Sequence, residues 1–109
     1  MIKSETFFRL DLLILSLLSK KDYTCIQMSQ IIQKQMNSII EAKIGIIYTL
    51  LFHFESAHLV SQYEKDNQIY YHIESAGKIR LDMLKRKYKG IIQGTQNILH
   101  YELKVDDYE

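Results

Sequence analysis

Apolar residues recur every three to four positions over most of the chain and switch to strict alternation once. From about Glu5 to Ser19, Phe7, Leu10, Leu13, Ile14, Leu17 and Leu18 make one helical stripe. Phe8, Leu12 and Leu15 cover much of the remaining surface. A helix apolar on nearly every side is buried on more than one side. In so small a domain, the second side is most simply assigned to another chain. Lys20, Lys21 and Asp22 form a polar turn. The period then predicts a second helix over about Tyr23 to Met36, with Ile26, Ile31, Ile32 and Met36 inward. Asn37 and Ser38 interrupt it. A third helix follows, over about residues 41–57. Its stripe is Ile47, Leu50, Leu51 and Phe54, at i, i+3, i+4 and i+7. Gly45, Thr49, Phe52 and Ser56 point the opposite way, with Tyr48 and His53 on the flanks. Ser38 and Glu41 have the spacing of a capping box, though a start nearer Glu41 fits equally.

After His58 the period becomes two. Leu59, Ser61 and Tyr63 alternate with Val60, Gln62 and Glu64, and Lys65, Asp66, Asn67 and Gln68 make a polar turn. Ile69, Tyr70, Tyr71, His72 and Ile73 form a second strand rich in aromatic and branched residues. A lone hairpin is marginal in water, so this one, over about residues 59–73, must pack on the helices. Three helices and a hairpin are the winged helix-turn-helix plan, mainly α with a β-hairpin wing, in which the third helix enters the DNA major groove. That domain spans residues 1–75. A last helix begins at Ser75 or Ala76 and occupies residues 76–104, with its periodicity clear to about Tyr101, and an acidic tail of residues 105–109 frays from it. In this helix Leu81, Leu84, Tyr88, Ile91, Thr95 and Ile98 follow a heptad seam, which Ile92 and Leu99 widen. Gly90 and Gly94 either permit close helix approach or mark a kink. Lys78, Arg80, Lys85, Arg86, Lys87 and Lys89 read as its solvated outer face.

Composition narrows the function classes. The chain has 109 residues, enough for one modest core, and its 47% apolar and 25% charged residues describe a globular domain. The absence of proline leaves the helices without breakers. A net charge of +1 gives no general attraction to nucleic acid or to an anionic membrane. Residues 37–75 hold Lys43 and Lys65 against Glu41, Glu55, Glu64, Asp66 and Glu74. The single cysteine, Cys25, fits a reducing interior. Arg9 and Asp11 interrupt the apolar run from Phe7 to Leu18, which argues against a signal sequence, and no run is long enough to span a bilayer. The expected location is the cytoplasm. His53, His58, His72 and His100 lack metal-ligand spacing, the glycines are scattered, and no Ser or Cys has a readable base partner. No catalytic residue, metal or cofactor is assigned, and the chain does not read as an enzyme.

Two segments carry a family resemblance. Ile47-Tyr48, Leu51, Phe54 and Leu59-Val60 resemble the recognition helix and first wing strand of the PadR-like transcriptional regulators. Tyr70-Tyr71, Ile73, Glu74 and Gly77 resemble that family's second wing strand and the start of its last helix. The resemblance covers about residues 7–100, at the length of the smaller members with one C-terminal helix. It implies a winged helix-turn-helix fold and a dimer formed through the first and last helices. The chain departs from the family at three places. Phe52 and His53 stand where basic residues are usual, His58 stands where glycine joins helix to strand, and Lys65-Asp66-Asn67-Gln68 replaces a glycine-rich basic wing tip.

The expectation is therefore a homodimeric DNA-binding regulator, a repressor, on a pseudo-palindromic operator. Lys43, Tyr48, Thr49, Phe52 and His53 on the third helix, with Lys20, Lys21 and Lys65 around it, are the candidate DNA contacts. Phe8, Leu12, Leu15, Leu81, Leu84, Tyr88, Ile91 and Ile98 are the candidate dimer contacts. Tyr88 on the seam is the candidate site for a small apolar or aromatic effector. The alternative is a winged-helix protein-interaction module, an adaptor or anti-repressor, that uses the apolar exposed face around Phe52. No membrane partner is expected.

Overall fold

The computed structural model describes residues 2–37, 39 and 42–107, and side chains within residues 10–37, 39 and 42–100. The order is α1 (Ile2–Lys20), β1 (Tyr23–Thr24), α2 (Cys25–Gln35), α3 (Ile44–Ser56), β2 (Val60–Lys65), β3 (Gln68–Ile73) and α4 (Ser75–Asp107). The strands form one antiparallel sheet in the order β1-β3-β2. The winged helix-turn-helix plan is thus present, with a third strand that periodicity does not reveal. α4 runs to Asp107, through most of the stretch expected as a tail.

α1 is the hub. Leu10, Ile14, Leu15 and Leu18 are buried among Met28 and Ile32 of α2, Ile47, Leu51 and Phe54 of α3, Tyr71 and Ile73 of β3, and Leu81 of α4. α4 crosses back over α1, so the second apolar side of α1 is covered from within the chain. This corrects the assignment of Leu12 and Leu15 to a partner chain. Leu12 is 8% exposed and Leu15 0%, and neither leaves much surface to bury again. Leu81, at 4%, belongs to the same core. The side chain of Phe8 lies outside the described residues.

α2 starts later than its apolar period suggests. Thr24 is its N-cap, in extended conformation, and its Oγ1 accepts from the Gln27 backbone N–H at 3.1 Å. The Gln27 side chain accepts in return from the Thr24 N–H at 2.9 Å, completing a capping box. Met28, Ser29 and Ile32 face inward, and Ile26, expected in the core, is 54% exposed. Ser38 and Glu41, the expected capping pair of α3, lie outside the described residues. The described N-cap of α3 is Lys43, with no side-chain cap. The approach to α3 is held instead by the Ala42 carbonyl, which accepts from Ser29 Oγ at 2.5 Å and from Gln33 Nε2 at 3.0 Å.

α3 ends in a Schellman motif. The Leu59 N–H donates to the Phe54 carbonyl at 2.8 Å, and the His58 N–H to that of Glu55 at 3.0 Å. His58 holds the left-handed position, with φ 62°. The wing closes with a two-residue turn, Asp66 and Asn67, at φ 54° and 61°, which matches the type I′ geometry favoured by twisted hairpins.

Candidate nucleic-acid interface

The site is the outer side of α3 and what flanks it. Burial of Ile47, Leu50, Leu51 and Phe54 fixes the roll of the helix, as the period requires. Lys43, Ile44, Gly45, Tyr48, Thr49, Phe52, His53 and Ser56 are exposed. Ile44, Tyr48 and Phe52, at i, i+4 and i+8, form a second apolar stripe and are 47%, 59% and 61% exposed. Tyr48 and Phe52 were assigned from sequence; Ile44 was not. Its signal was present in the four-residue spacing, but it resembled an ordinary inward position at the helix start.

A groove lies on each side of this stripe. Towards the wing, a cavity of about 430 Å³ is lined by Cys25, Ile26, Ile44 and Tyr48 on the helices and by Asn67 and Ile69 at the wing tip. Ile69, Tyr71 and Ile73 share one face of β3, and Ile69 is the member that reaches past the core. The Cys25 thiol bridges the two helix starts, donating to the Ile44 carbonyl at 3.6 Å, and burial pushes its pKa up. A thiol so placed is a poor nucleophile. On the other side, Lys43, Gly45, Ile46 and Thr49 line a cavity of about 470 Å³.

The hydroxyl of Thr49 donates to the Gly45 carbonyl at 2.9 Å, one turn back. Towards a ligand it presents an acceptor and a methyl group. Phe52 and His53 meet edge to face at 5.9 Å. His53 also lies close enough to Asp11 of α1 to act on its carboxyl. Asp11 Oδ1 is buried with no hydrogen-bond partner. Burial pushes the Asp11 carboxyl up to about 6, against the opposing pull of Arg80 and His53.

The wing is fastened to the helices near the start of β2. Gln62 Nε2 donates to both carboxylate oxygens of Glu55 on α3, at 3.0 Å each. Ser61 donates to Glu74 at 2.5 Å. Two of the acids that give this region its negative charge are thus wing anchors. Across the sheet, Asp22 accepts from Tyr63 at 2.6 Å and pairs with His72 Nδ1 at 2.9 Å. Partial burial raises the Asp22 pKa, but these hydrogen bonds outweigh it and hold the carboxyl below its usual range. Tyr63 and Tyr70 stack at 5.7 Å, which stiffens the ribbon.

The structure brings Lys43 and Thr49 together on one groove and puts Tyr48 on the other. Lys20 and Lys21 stand at the α1–β1 turn, with Lys21 Nζ 5.2 Å from the centre of the Tyr23 ring, and Lys65 closes the β2–β3 ladder. These three lie off α3. Leu84 is half-buried, whereas Tyr88, Ile91 and Ile98 on the outer length of α4 are 38%, 47% and 62% exposed, joined by Ile79, Met83, Ile92 and Leu99. Among the described residues, no group of three His, Cys, Asp or Glu could hold a metal, and no helix is long and apolar enough to cross a membrane.

Comparison with known proteins agrees with this architecture. The sequence profile of the transcriptional regulator PadR-like family matches residues 14–83. A PadR family transcription regulator from Clostridium difficile R20291 is 27% identical, with a TM-score of 0.71 over 83% of this chain and 97% of its own. A Streptococcus mutans UA159 protein is 26% identical, with a TM-score of 0.76 over 85% of this chain and 88% of its own. The fold is also that of a PadR-like transcriptional regulator from Bacillus cereus, 23% identical, with a TM-score of 0.75 over 83% of this chain and 90% of its own. Comparison with curated proteins gives no significant match. With the family profile spanning most of the winged domain and the start of α4, the chain belongs to the PadR-like family of transcriptional regulators.

Proposed function

We propose that the protein is a cytoplasmic homodimer that binds operator DNA through α3 and represses transcription. The observation that carries this reading is the division of α3. Its inner stripe is fixed in the core, while Lys43, Gly45, Tyr48 and Thr49 stand outward. Two such helices about a two-fold axis would enter successive major grooves about 34 Å apart, on a pseudo-palindromic site. Lys43 holds a phosphate at the helix start, Tyr48 reaches a phosphate oxygen, and Thr49 meets base edges. Phe52 extends the apolar contact beyond Thr49. Lys20, Lys21 and Lys65 are peripheral phosphate contacts, and His53 sits at the rim.

The dimer is formed along α4. Tyr88, Ile91 and Ile98 lie on one seam and are exposed in the single chain, as are Ile92 and Leu99 beside them. So much exposed apolar surface on one helix supports a partner copy. Leu84 sits at the inner end of the seam. A small apolar or aromatic effector would bind between protomers at Tyr88, stacking on its ring.

A second reading is favoured by the groove toward the wing. Ile26, Ile44 and Ile69 are exposed around it, and the region is acidic overall. These suit a protein partner and an adaptor or anti-repressor role. A gel-shift scan of the DNA upstream of the chain's own gene separates the two. A site-selective complex at low salt supports the operator reading. Its absence, for a folded dimer, supports the interaction module.

A further inference from the structure

We infer that α3 reads its operator chiefly through the C5-methyl groups of thymine, so that the sequence under this helix is rich in A·T pairs. The inference rests on the operator-binding reading above and specifies what that surface recognises.

The side chains that read bases through paired hydrogen bonds are Arg or Lys on guanine and Asn or Gln on adenine. α3, IGIIYTLLFHFES, contains none of them between Ile44 and Ser56. Two of its polar groups are also committed. Glu55 holds Gln62 of the wing, and the Thr49 hydroxyl donates to the Gly45 carbonyl. What α3 presents outward is mainly apolar: Ile44, Tyr48 and Phe52 in line, with the Thr49 methyl beside them and His53 and Ser56 as the polar neighbours. The thymine methyl is the apolar feature that a base pair displays in the major groove. Gly45 adds access, because nothing lies within 4 Å of where a Cβ would stand, and the backbone of the first turn can approach the base edges closely. Lys43 stands at the helix start on the groove that also holds Thr49, so a phosphate contact and the Thr49 methyl fall on one side of the helix. An acidic neighbourhood also disfavours general attraction to the duplex, which leaves discrimination to short-range contacts.

The test uses the full-length protein and a duplex selected by it from a random pool. Thymines under α3 are replaced one at a time by deoxyuridine, which removes the methyl and keeps the pairing. At the contacted positions, affinity should fall roughly four-fold per methyl, the effect of exposing one methyl-sized group. Ile44→Ala, at an exposed position, should abolish this difference at one position of each half-site while leaving the other thymines sensitive. Thr49→Ser, which keeps the hydroxyl and removes the methyl, should do the same at another. If deoxyuridine duplexes bind as tightly as thymine duplexes at every position, methyl reading is overturned while operator binding stands. If no duplex is selected, operator binding itself fails, methyl reading fails with it, and the apolar strip belongs to a protein partner.

Discussion

The backbone of Gly77 in α4 rests against the carbonyl of Leu59 at the start of the wing. A Cβ on Gly77 would overlap the Leu59 carbonyl oxygen and stand 2.7 Å from Cγ1 of Ile73. The same carbonyl accepts from the Glu74 N–H at 2.9 Å. One peptide group therefore sets both the start of α4 and its distance from the sheet. Gly77→Ala should destabilise the fold by about 1–3 kcal/mol, because backbone must move and the gain in helix propensity offsets only part of that. Thermal unfolding checks this; a variant as stable as the parent would show that α4 can shift freely.

His58 occupies a left-handed position that glycine adopts without strain. His58→Gly should therefore raise stability, by about 0.5–1 kcal/mol. The hydrogen bonds of the Schellman motif involve backbone and are retained. A melting temperature unchanged or lowered would mean that the His58 side chain contributes more than its strain costs.

Asp11 makes stability fall as pH rises. Its folded pKa, about 6, lies above the ordinary 3.8, so the folded state holds the proton more tightly than the unfolded chain does. Stability is greatest below about pH 4 on this account and declines through the window from about 4 to 6. Asp11→Asn removes the buried charge. It should stabilise the protein at pH 7 by roughly 1 kcal/mol, after discounting for partial exposure, and make little difference near pH 4. Melting curves of both proteins across that range are the measurement, and parallel curves would rule the account out.

Ile91 lies at the middle of the exposed seam of α4. Ile91→Asp places a charge where two copies are proposed to meet, and should convert the dimer to monomer at micromolar concentration without loss of helix content. Multi-angle light scattering with circular dichroism reads both. A mutant dimer of parental stability would move the interface elsewhere.

Salt dependence tests how the DNA backbone is held. Each phosphate neutralised contributes about 0.9 to the slope of log K against log salt. Lys43 alone gives two contacts per dimer, and Lys20, Lys21 and Lys65 raise this to eight, for a slope between about −2 and −7. Lys43→Ala should flatten the slope by about two and weaken binding to all sequences alike. A loss confined to one sequence would place Lys43 on a base.

Much of this molecule follows from local pattern. The roll of α3 is fixed by Ile47, Leu50, Leu51 and Phe54, since a 3.6 period permits one inward face. The wing follows from alternation on each side of Asp66-Asn67, a turn whose residues tolerate positive φ. Glycine at position 77 was legible as a motif residue, though not the contact that requires it. Long-range packing decided the rest. β1 has two residues, Tyr23 and Thr24, too few for any period, and is a strand because it pairs with Tyr71 and Tyr70. Leu12 and Leu15 carry no mark that tells a neighbour within the chain from one in another chain; the return path of α4 over α1 makes them core. Ile26 is apolar and helical, yet α2 packs through Met28, Ser29 and Ile32 and leaves it outward. Periodicity says which face of an element avoids water. Which surface then covers that face depends on contacts between residues far apart in the chain, and these exist only in the folded structure.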